Sequence, residues 1–377
     1  MPNPAGDEPD VRVLMLSKAC VVGTYQRKLE ELAAVAPDLD LTVAVPPAWK
    51  DAWGRTELQR AYTRGYRLET TPIALNGSYH LHFYPKFKDL MTRIRPDIVH
   101  IDEEPYNFAT YHANRIARRA GARTLWFSWQ NLYRRYPPPF SWMERYNLNH
   151  VDYGMVGSES AARVWRAKGF TRPLAVIPQF GVDPELFHPP VTRRPEGRIH
   201  IAYAGRLVPE KGVDCLLEAL GRLQGAWRAT ILGSGPETEA LKAQATHIGI
   251  RNEVTFRDVI PSTAMPELYR TIDVLVLPSR ERSHWTEQFG RVLIEAMASG
   301  VAVVGSKTGE IPYVIDEAGL VFPEGDVEAL RSALATLIHD PDRRASLGRQ
   351  GRARVLAHYT QGHIARATAD IYQRLSV

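Results

Sequence analysis

The sequence predicts an α/β protein of two Rossmann-like, doubly wound domains facing each other across a cleft, and three observations lead there. At 377 residues the chain is too long for one hydrophobic core and suits two domains of ordinary size. Short apolar runs alternate with stretches of helical period, as parallel strands joined by helical crossovers do. The alternation then begins afresh after a proline-rich stretch, Pro184 to Pro195.

Taken in order, Val11 to Leu16 reads as a first buried strand. The loop Ser17 to Thr24 feeds a helix over Tyr25 to Val35, and Leu41 to Val45 is a second strand. A helix in the segment from Leu81 ends near Pro96. Asp97 to Ile101 is a strand, and another helix runs to about Ala120. Thr124 to Ser128 and Val151 to Gly157 are further apolar runs. Beyond the prolines, Ile199 to Ala204, Arg228 to Leu232, Glu253 to Phe256, Ile272 to Leu277 and Val301 to Val304 read as strands. Helices are expected over Val213 to Leu223 and Glu237 to Ile248, with a helical tail over Val327 to Leu337 and Asp342 to Leu375. The expected boundaries are a first domain at 1–183, a linker at 184–198, a second domain at 199–355 and a C-terminal helix at 356–377 returning to the first domain. In open parallel sheets ligands bind beyond the carboxyl ends of the strands, so the site is expected where the two sheets face.

Composition excludes several classes. With 44% hydrophobic and 24% charged residues the chain is neither disordered nor low-complexity. No apolar run approaches a membrane span, and the first ten residues are polar and unlike a signal peptide. Cys20 and Cys215 lie far apart without metal-ligand spacing, which suits a reduced cytoplasmic compartment. Through residue 180 there are 24 Lys+Arg against 18 Asp+Glu, and from 181 onward 23 against 24. The basic excess of the first half favours an anionic acceptor or peripheral contact with the inner membrane face. It is too dispersed for a nucleic-acid binder.

The most informative stretch is Glu281 to Gly300. Apolar residues at 289, 292, 293, 296 and 297 mark a helix, so Glu287 lies in the loop entering it and Glu295 in its second turn. Helix entrances attract anions, and a carboxylate on each side suits a ligand carrying both phosphate and hydroxyls, such as a nucleotide sugar. The alternative is that both acids merely complement the helix dipole, or that Glu295 pairs with Arg291 one turn back. Glu295 stands about 120° from the centre of the apolar face at roughly 100° per residue, so it can leave the core without Arg291 as partner. Two other loops follow strands of the same half. Gly205-Arg206 to Lys211-Gly212 sets two cations five residues apart, able to grip neighbouring phosphates or to form a solvated basic turn. Gly233-Ser-Gly235-Pro is a glycine turn from strand to helix, weak evidence on its own.

Together these residues resemble the second domain of family 4 glycosyltransferases, which have the GT-B fold. The resemblance rests on Gly205-Arg206…Lys211-Gly212, Gly233-Ser-Gly235, the E-x7-E pair Glu287 and Glu295, Ala296 to Gly300, and Gly309-Glu-Ile-Pro312. Before the linker, Gln179-Phe-Gly181-Val-Asp183 to Phe187 resembles the family's Asn-Gly-Val-Asp turn. The resemblance implies a glycosyltransferase that moves a sugar from a nucleotide-diphosphate sugar, with UDP or GDP as the carrier, to an acceptor hydroxyl with retention of configuration. It implies no metal and no other cofactor; the acceptor is a glycan, a lipid-linked molecule or a small molecule. Arg206 and Lys211 would neutralise the diphosphate, making them catalytic together with Glu287, which would hold hydroxyls of the transferred sugar. Glu295 would accept hydrogen bonds from the ribose, and the backbone at Phe289 and Gly290 would add contacts. Gly205, Gly233 and Gly23 would give the donor room, and Val259 and Ile260 would border the base.

The D-x-D at Asp38-Leu-Asp40 reads as a turn, and His80-x-His82 as a strand face rather than a metal site. The chain departs from the family after the strand Thr124 to Ser128. Many relatives carry a histidine there; this sequence has Trp129-Gln130-Asn131, and Gln130 can donate a hydrogen bond but not a proton. The loop Asp102-Glu103-Glu104 is the other place for acceptor binding or deprotonation, or else a solvated acidic loop. From Trp126 to Tyr146, aromatic residues alternate with Arg134, Arg135 and Arg145. This stretch could form an acceptor platform, a lipid-headgroup contact, or a helix packed behind the Pro137–Pro139 turn. Two other functions compatible with these residues are a GT-B sugar-nucleotide epimerase and a non-catalytic nucleotide-sugar-binding subunit.

Overall fold

A computed structural model describes residues 11–51, 54–191 and 197–376. The chain divides into two compact units: one runs to Phe180 and resumes at Gln361, and the other is Gly181–Thr360.

The first unit is built on seven parallel strands: β1 (Val11–Leu16), β2 (Leu39–Val45), β5 (Arg67–Thr70), β6 (Ile98–Ile101), β7 (Arg123–Ser128), β8 (Tyr153–Val156) and β9 (Leu174–Val176). Their order across the sheet is β5-β2-β1-β6-β7-β8-β9. A small antiparallel hairpin, β3 (Ala48–Asp51) and β4 (Gly54–Glu57), lies outside it. The central strands are buried on both faces, which explains their unbroken apolar runs. Helices α1 (Arg27–Val35), α2 (Phe87–Ile94), α3 (Phe108–Arg119), α4 (Phe140–His150) and α5 (Glu159–Ala167) connect the strands. Ser158 caps α5 by accepting the amide of Ala161. Strand order reverses between β1 and β6, so the loops after these two strands diverge and leave a crevice at their carboxyl ends.

The second unit repeats the plan with β10 (Ile199–Ala204), β11 (Trp227–Leu232), β12 (Val254–Arg257), β13 (Val274–Leu277), β14 (Ala302–Ser306) and β15 (Leu320–Phe322), ordered β12-β11-β10-β13-β14-β15 and all parallel. Its helices are α6 (Val213–Gly221), α7 (Thr238–His247), α8 (Met265–Thr271), α9 (Arg291–Ala298), α10 (Ile311–Ile315), α11 (Val327–His339) and α12 (Pro341–His358). Here the reversal falls between β10 and β13, which sets the loops 205–212 and 278–290 side by side.

Several local expectations change. Within the helical tail, the stretch from Asp342 to Leu375 is two helices, because the chain breaks at Tyr359–Thr360, where the carbonyl of Tyr359 accepts the amide of Val182. The last helix, α13 (Gln361–Ser376), belongs to the first unit; Ile364, Ala365, Ile371 and Tyr372 join Leu29 and Leu32 in its core. In the described part of the linker, Phe187 is buried and packs on Tyr269 within the second unit. Residues 192–196, including Pro195, lie outside the described residues, as do the first ten. His80 and His82 sit in a turn, not on a strand, because the segment must bend to bring Phe83 against Ala74. Asp38 is in a turn, but Asp40 is already in β2, ion-paired to Arg67 of β5. No helix among the described residues is long and apolar enough to cross a membrane.

Candidate functional site

In the second unit the site begins with two loops seated backbone to backbone. A Cβ on Gly233, whose φ is +145°, would stand 1.8 Å from the carbonyl oxygen of Gly205. Only glycine permits that approach. The amide of Leu207 donates to Ser234 O at 2.9 Å, extending the contact. The main-chain oxygen of Arg206 accepts the Tyr203 hydroxyl at 2.7 Å, while its guanidinium is half-exposed, 3.9 Å from Glu210. A short 3-10 turn, Pro209–Lys211, ends at Gly212, which has φ +64° and opens α6.

Lys211 and Glu287 meet. The ammonium is 2.6 Å from Glu287 Oε2, which also accepts the Ser279 hydroxyl at 2.9 Å. The ring of Trp285 lies 4.7 Å from the same ammonium. The Glu310 amide donates to the main-chain oxygen of Glu287 at 3.1 Å, fixing the loop from the other side. Phe289 is buried against Tyr359, and Gly290 is buried at the entrance to α9.

Glu295 differs from its expected state. Arg291 does pair with it, Nε to Oε1 at 2.8 Å, and the Tyr269 hydroxyl donates to Oε2 at 2.9 Å. Its place on the helical wheel was compatible with either state; the Arg291 rotamer, folded toward i+4, decides it. Burial pushes the Glu295 pKa up, against the opposing pull of Arg291 and Tyr269. Val259 is exposed and Ile260 half-buried after β12, which is separated from β10 by β11.

In the first unit the carboxyl ends of β1 and β6 carry a buried polar belt. Asp102, Glu103 and Glu104 are 4%, 2% and 7% exposed, so they do not form a solvated loop. Asp102 accepts the Ser17 hydroxyl at 2.5 Å and the Gln179 amide at 2.7 Å. Glu103 is ion-paired to Lys18, whose ammonium faces the rings of Trp49 and Tyr79, and lies 3.3 Å from His82 Nε2. Burial alone would raise its pKa, but Lys18 and His82 overcome that and hold it at about 2. Glu104 accepts the Ser128 hydroxyl at 2.5 Å and the Trp129 amide at 2.8 Å. Here burial prevails and pushes the pKa up to about 7.

Gln130 is buried. Its Nε2 donates to Leu132 O at 3.0 Å, and its Oε1 has no hydrogen-bond partner among the described residues. Gly23 lies against its own chain: a Cβ there would meet Ala61 Cβ at 2.8 Å, and its amide donates to Gln59 at 2.9 Å. The aromatic stretch divides. Trp126 is buried in β7, Tyr136 stacks on Tyr106 at 4.3 Å, and α4 turns Met143 and Leu148 inward but leaves Trp142 60% exposed.

Lys18, Ser279, Trp285 and Tyr269 were not among the expected site residues. Lys18 had a signal, a lysine directly after the first strand; Tyr269, from another helix, had none. Among the described residues no group of three or more His, Cys, Asp or Glu side chains is placed to hold a metal ion.

A model of the glycosyl transferases group 1 family matches residues 186–354, and one of glycosyltransferase family 4 matches residues 30–186. The chain belongs to the family 4 glycosyltransferases. A GDP-mannose-dependent alpha-(1-6)-phosphatidylinositol monomannoside mannosyltransferase of Mycolicibacterium smegmatis is 31% identical to this glycosyltransferase over 259 residues, 63% of this chain and 66% of that protein. The protein of the same description from Mycobacterium tuberculosis is 32% identical over 231 residues, 57% and 60% of the two chains. The chain thus spans under two thirds of the length of these relatives. In structure, the glycosyltransferase resembles sucrose-phosphate synthase of Thermosynechococcus elongatus, with a TM-score of 0.73 and 20% identity over 97% of this chain and 99% of that one. Anabaena HepE in complex with UDP and glucose gives 0.70 and 18% over 97% and 100%. At such identities the likeness concerns the fold, which is GT-B.

Proposed function

We propose that this protein transfers a sugar from a UDP- or GDP-sugar to an acceptor hydroxyl, with retention of configuration and without a metal ion. The observation that carries this reading is the Lys211–Glu287 pair, set at the switch point of the second sheet with Arg206 on the same loop as the lysine. A cation suited to a diphosphate and a carboxylate suited to sugar hydroxyls are neighbours, 2.6 Å apart, and a nucleotide sugar would engage both by exchanging its phosphate and hydroxyls for the ion pair. The relatives named as GDP-mannose-dependent enzymes support the donor class.

In this reading the bond from the anomeric carbon to the diphosphate oxygen breaks as charge accumulates on the phosphate. Arg206 and Lys211 stabilise that charge in place of a metal. The acceptor oxygen bonds to the anomeric carbon on the face the diphosphate leaves, and its proton passes to the departing phosphate oxygen. Glu287 holds the sugar, the amides at Phe289 and Gly290 add contacts, and Glu295 takes the ribose, exchanging Tyr269 or Arg291 for ribose hydroxyls. Gly205 and Gly233 shape the loops that receive the donor, and Val259 and Ile260 border the base. Asp102, Glu104 and Gln130 belong to the acceptor side, with Glu103 bracing their loop through Lys18. The basic first domain rests on an anionic membrane surface at the cytoplasmic face, where a lipid-linked acceptor would be met.

A thermal-shift panel of nucleotide sugars and nucleoside diphosphates tests the donor class, since a ligand of the folded state raises the melting temperature by mass action. A UDP- or GDP-sugar is expected to stabilise the protein in the presence of a chelator. A panel without any stabilising nucleotide overturns the reading, and activity lost to a chelator and restored by added metal overturns its metal independence. Conversion of the nucleotide sugar with no acceptor present would point to an epimerase instead.

A further inference from the structure

Lys211 is gripped twice by one loop. Glu287 takes its ammonium as an ion pair, and Trp285, two residues earlier, presents its ring face 4.7 Å away. The Lys211 side chain is only 14% exposed, so the ammonium has lost most of its water. That is the condition under which an indole face attracts a cation most strongly.

The loop is braced to hold the ring there. Arg282 and Trp285 exchange backbone hydrogen bonds, at 2.8 Å from the Arg282 amide and 3.1 Å from the Trp285 amide. One residue earlier, the Glu281 amide donates to Glu324 Oε1 at 2.9 Å, and Thr308 donates to the other oxygen of Glu324 at 3.2 Å. A lysine stem is flexible, and fixing it costs rotamer entropy when a ligand arrives. A ring that holds the ammonium beforehand removes that cost from binding.

We propose that Trp285 is a positioning residue for Lys211, keeping the ammonium beside Glu287 and ready for a nucleotide's diphosphate. The inference rests on Lys211 as the diphosphate ligand, and Trp285 acts through the lysine without touching the phosphate. It predicts a selective defect: losing the ring weakens whatever Lys211 binds and leaves the nucleoside unaffected.

The test is a double-mutant cycle on the full chain, titrating UDP and GDP by calorimetry and following uridine and guanosine by ligand-observed NMR. Trp285→Leu is expected to weaken diphosphate binding about tenfold with nucleoside binding unchanged, the scale of the rotamer entropy of one lysine side chain fixed beforehand. Trp285→Phe, which keeps a ring, should recover most of the loss. In a Lys211→Ala background Trp285→Leu should add nothing. Additive losses in the double variant, or equal weakening of nucleoside and diphosphate, overturn the role of Trp285 alone. Wild-type protein that binds neither UDP nor GDP overturns the donor reading, and the role of Trp285 falls with it.

Discussion

Glu103 and Glu287 invite comparison. Each lies in a loop beyond a central strand, at the point where its sheet's strand order reverses, and each is ion-paired to a lysine from the neighbouring loop. Each lysine also faces aromatic rings, Trp49 and Tyr79 in one case and Trp285 in the other. The surroundings differ. The Glu103 side chain is 0% exposed, flanked by His82 and Tyr84 and by two further buried carboxylates. The Glu287 side chain is 11% exposed, beside a loop whose Arg206 guanidinium remains half in water. The difference teaches how one device serves two ends. Closed in by further partners, the lysine–carboxylate pair braces a loop; left at the edge of solvent, it can exchange partners with a ligand.

Removing each carboxylate should separate these ends most sharply. Glu103→Ala removes a fully buried carboxylate shared by Lys18, His82 and Tyr84, and is expected to cost about 3–5 kcal/mol of stability, read by denaturant unfolding. Glu287→Ala should instead lower transfer by about 10²–10³-fold with a smaller loss of stability, because Glu287 itself stands nearer to solvent than Glu103. A reversed pattern, with Glu287→Ala unfolding the protein and Glu103→Ala sparing it, would break the comparison.

The neighbouring glutamates of the first unit predict an effect of pH. The carboxyl of Glu104 is raised from 4.5 to about 7 in the folded protein, chiefly by burial. As pH rises from 4.5 to 7 the unfolded chain gives up this proton first, so the group's contribution to stability falls through that window. The whole shift is worth on the order of 3 kcal/mol. Glu104→Gln should therefore gain on wild type in melting temperature as pH rises from 4.5 to 7. Glu103, held at about 2, has the opposite sign: its contribution is present above pH 4.5 and is lost as pH falls toward 2. A Glu104→Gln curve parallel to wild type would show that Glu104 titrates as an ordinary carboxylate.

The smallest effect is expected at Glu295. Tyr269→Phe removes one hydrogen bond to its carboxylate and leaves Arg291, so a loss of about 1 kcal/mol is predicted by thermal unfolding. No change would mean that Arg291 alone satisfies the buried carboxylate.

Much of this molecule was legible in the sequence for a physical reason. A strand buried on both faces has to be written in apolar residues, so β1, β6, β10 and β13 stand out. The contact of Gly233 with Gly205 admits no side chain, so the glycine turns stand out as well. Edge elements such as β5, β9 and β15 were not legible, because short, half-buried strands carry no distinctive period. Asp102-Glu103-Glu104 was ambiguous for a different reason: an acidic loop is spelled the same whether water or protein satisfies it. Here Ser17, Lys18, Ser128 and Gln179, brought from three other strand ends, do so.

The sequence by itself therefore determined the two-sheet plan and the neighbourhood of Lys211 and Glu287, since chain direction and strand order leave those loops nowhere else to go. Only the tertiary structure decided which partner each charge takes. Arg291 on Glu295 is a choice of rotamer, Tyr269 on Glu295 joins two helices, and Trp285 on Lys211 joins two loops. Such contacts depend on side-chain direction and burial, to within an ångström, across segments that the sequence lists far apart.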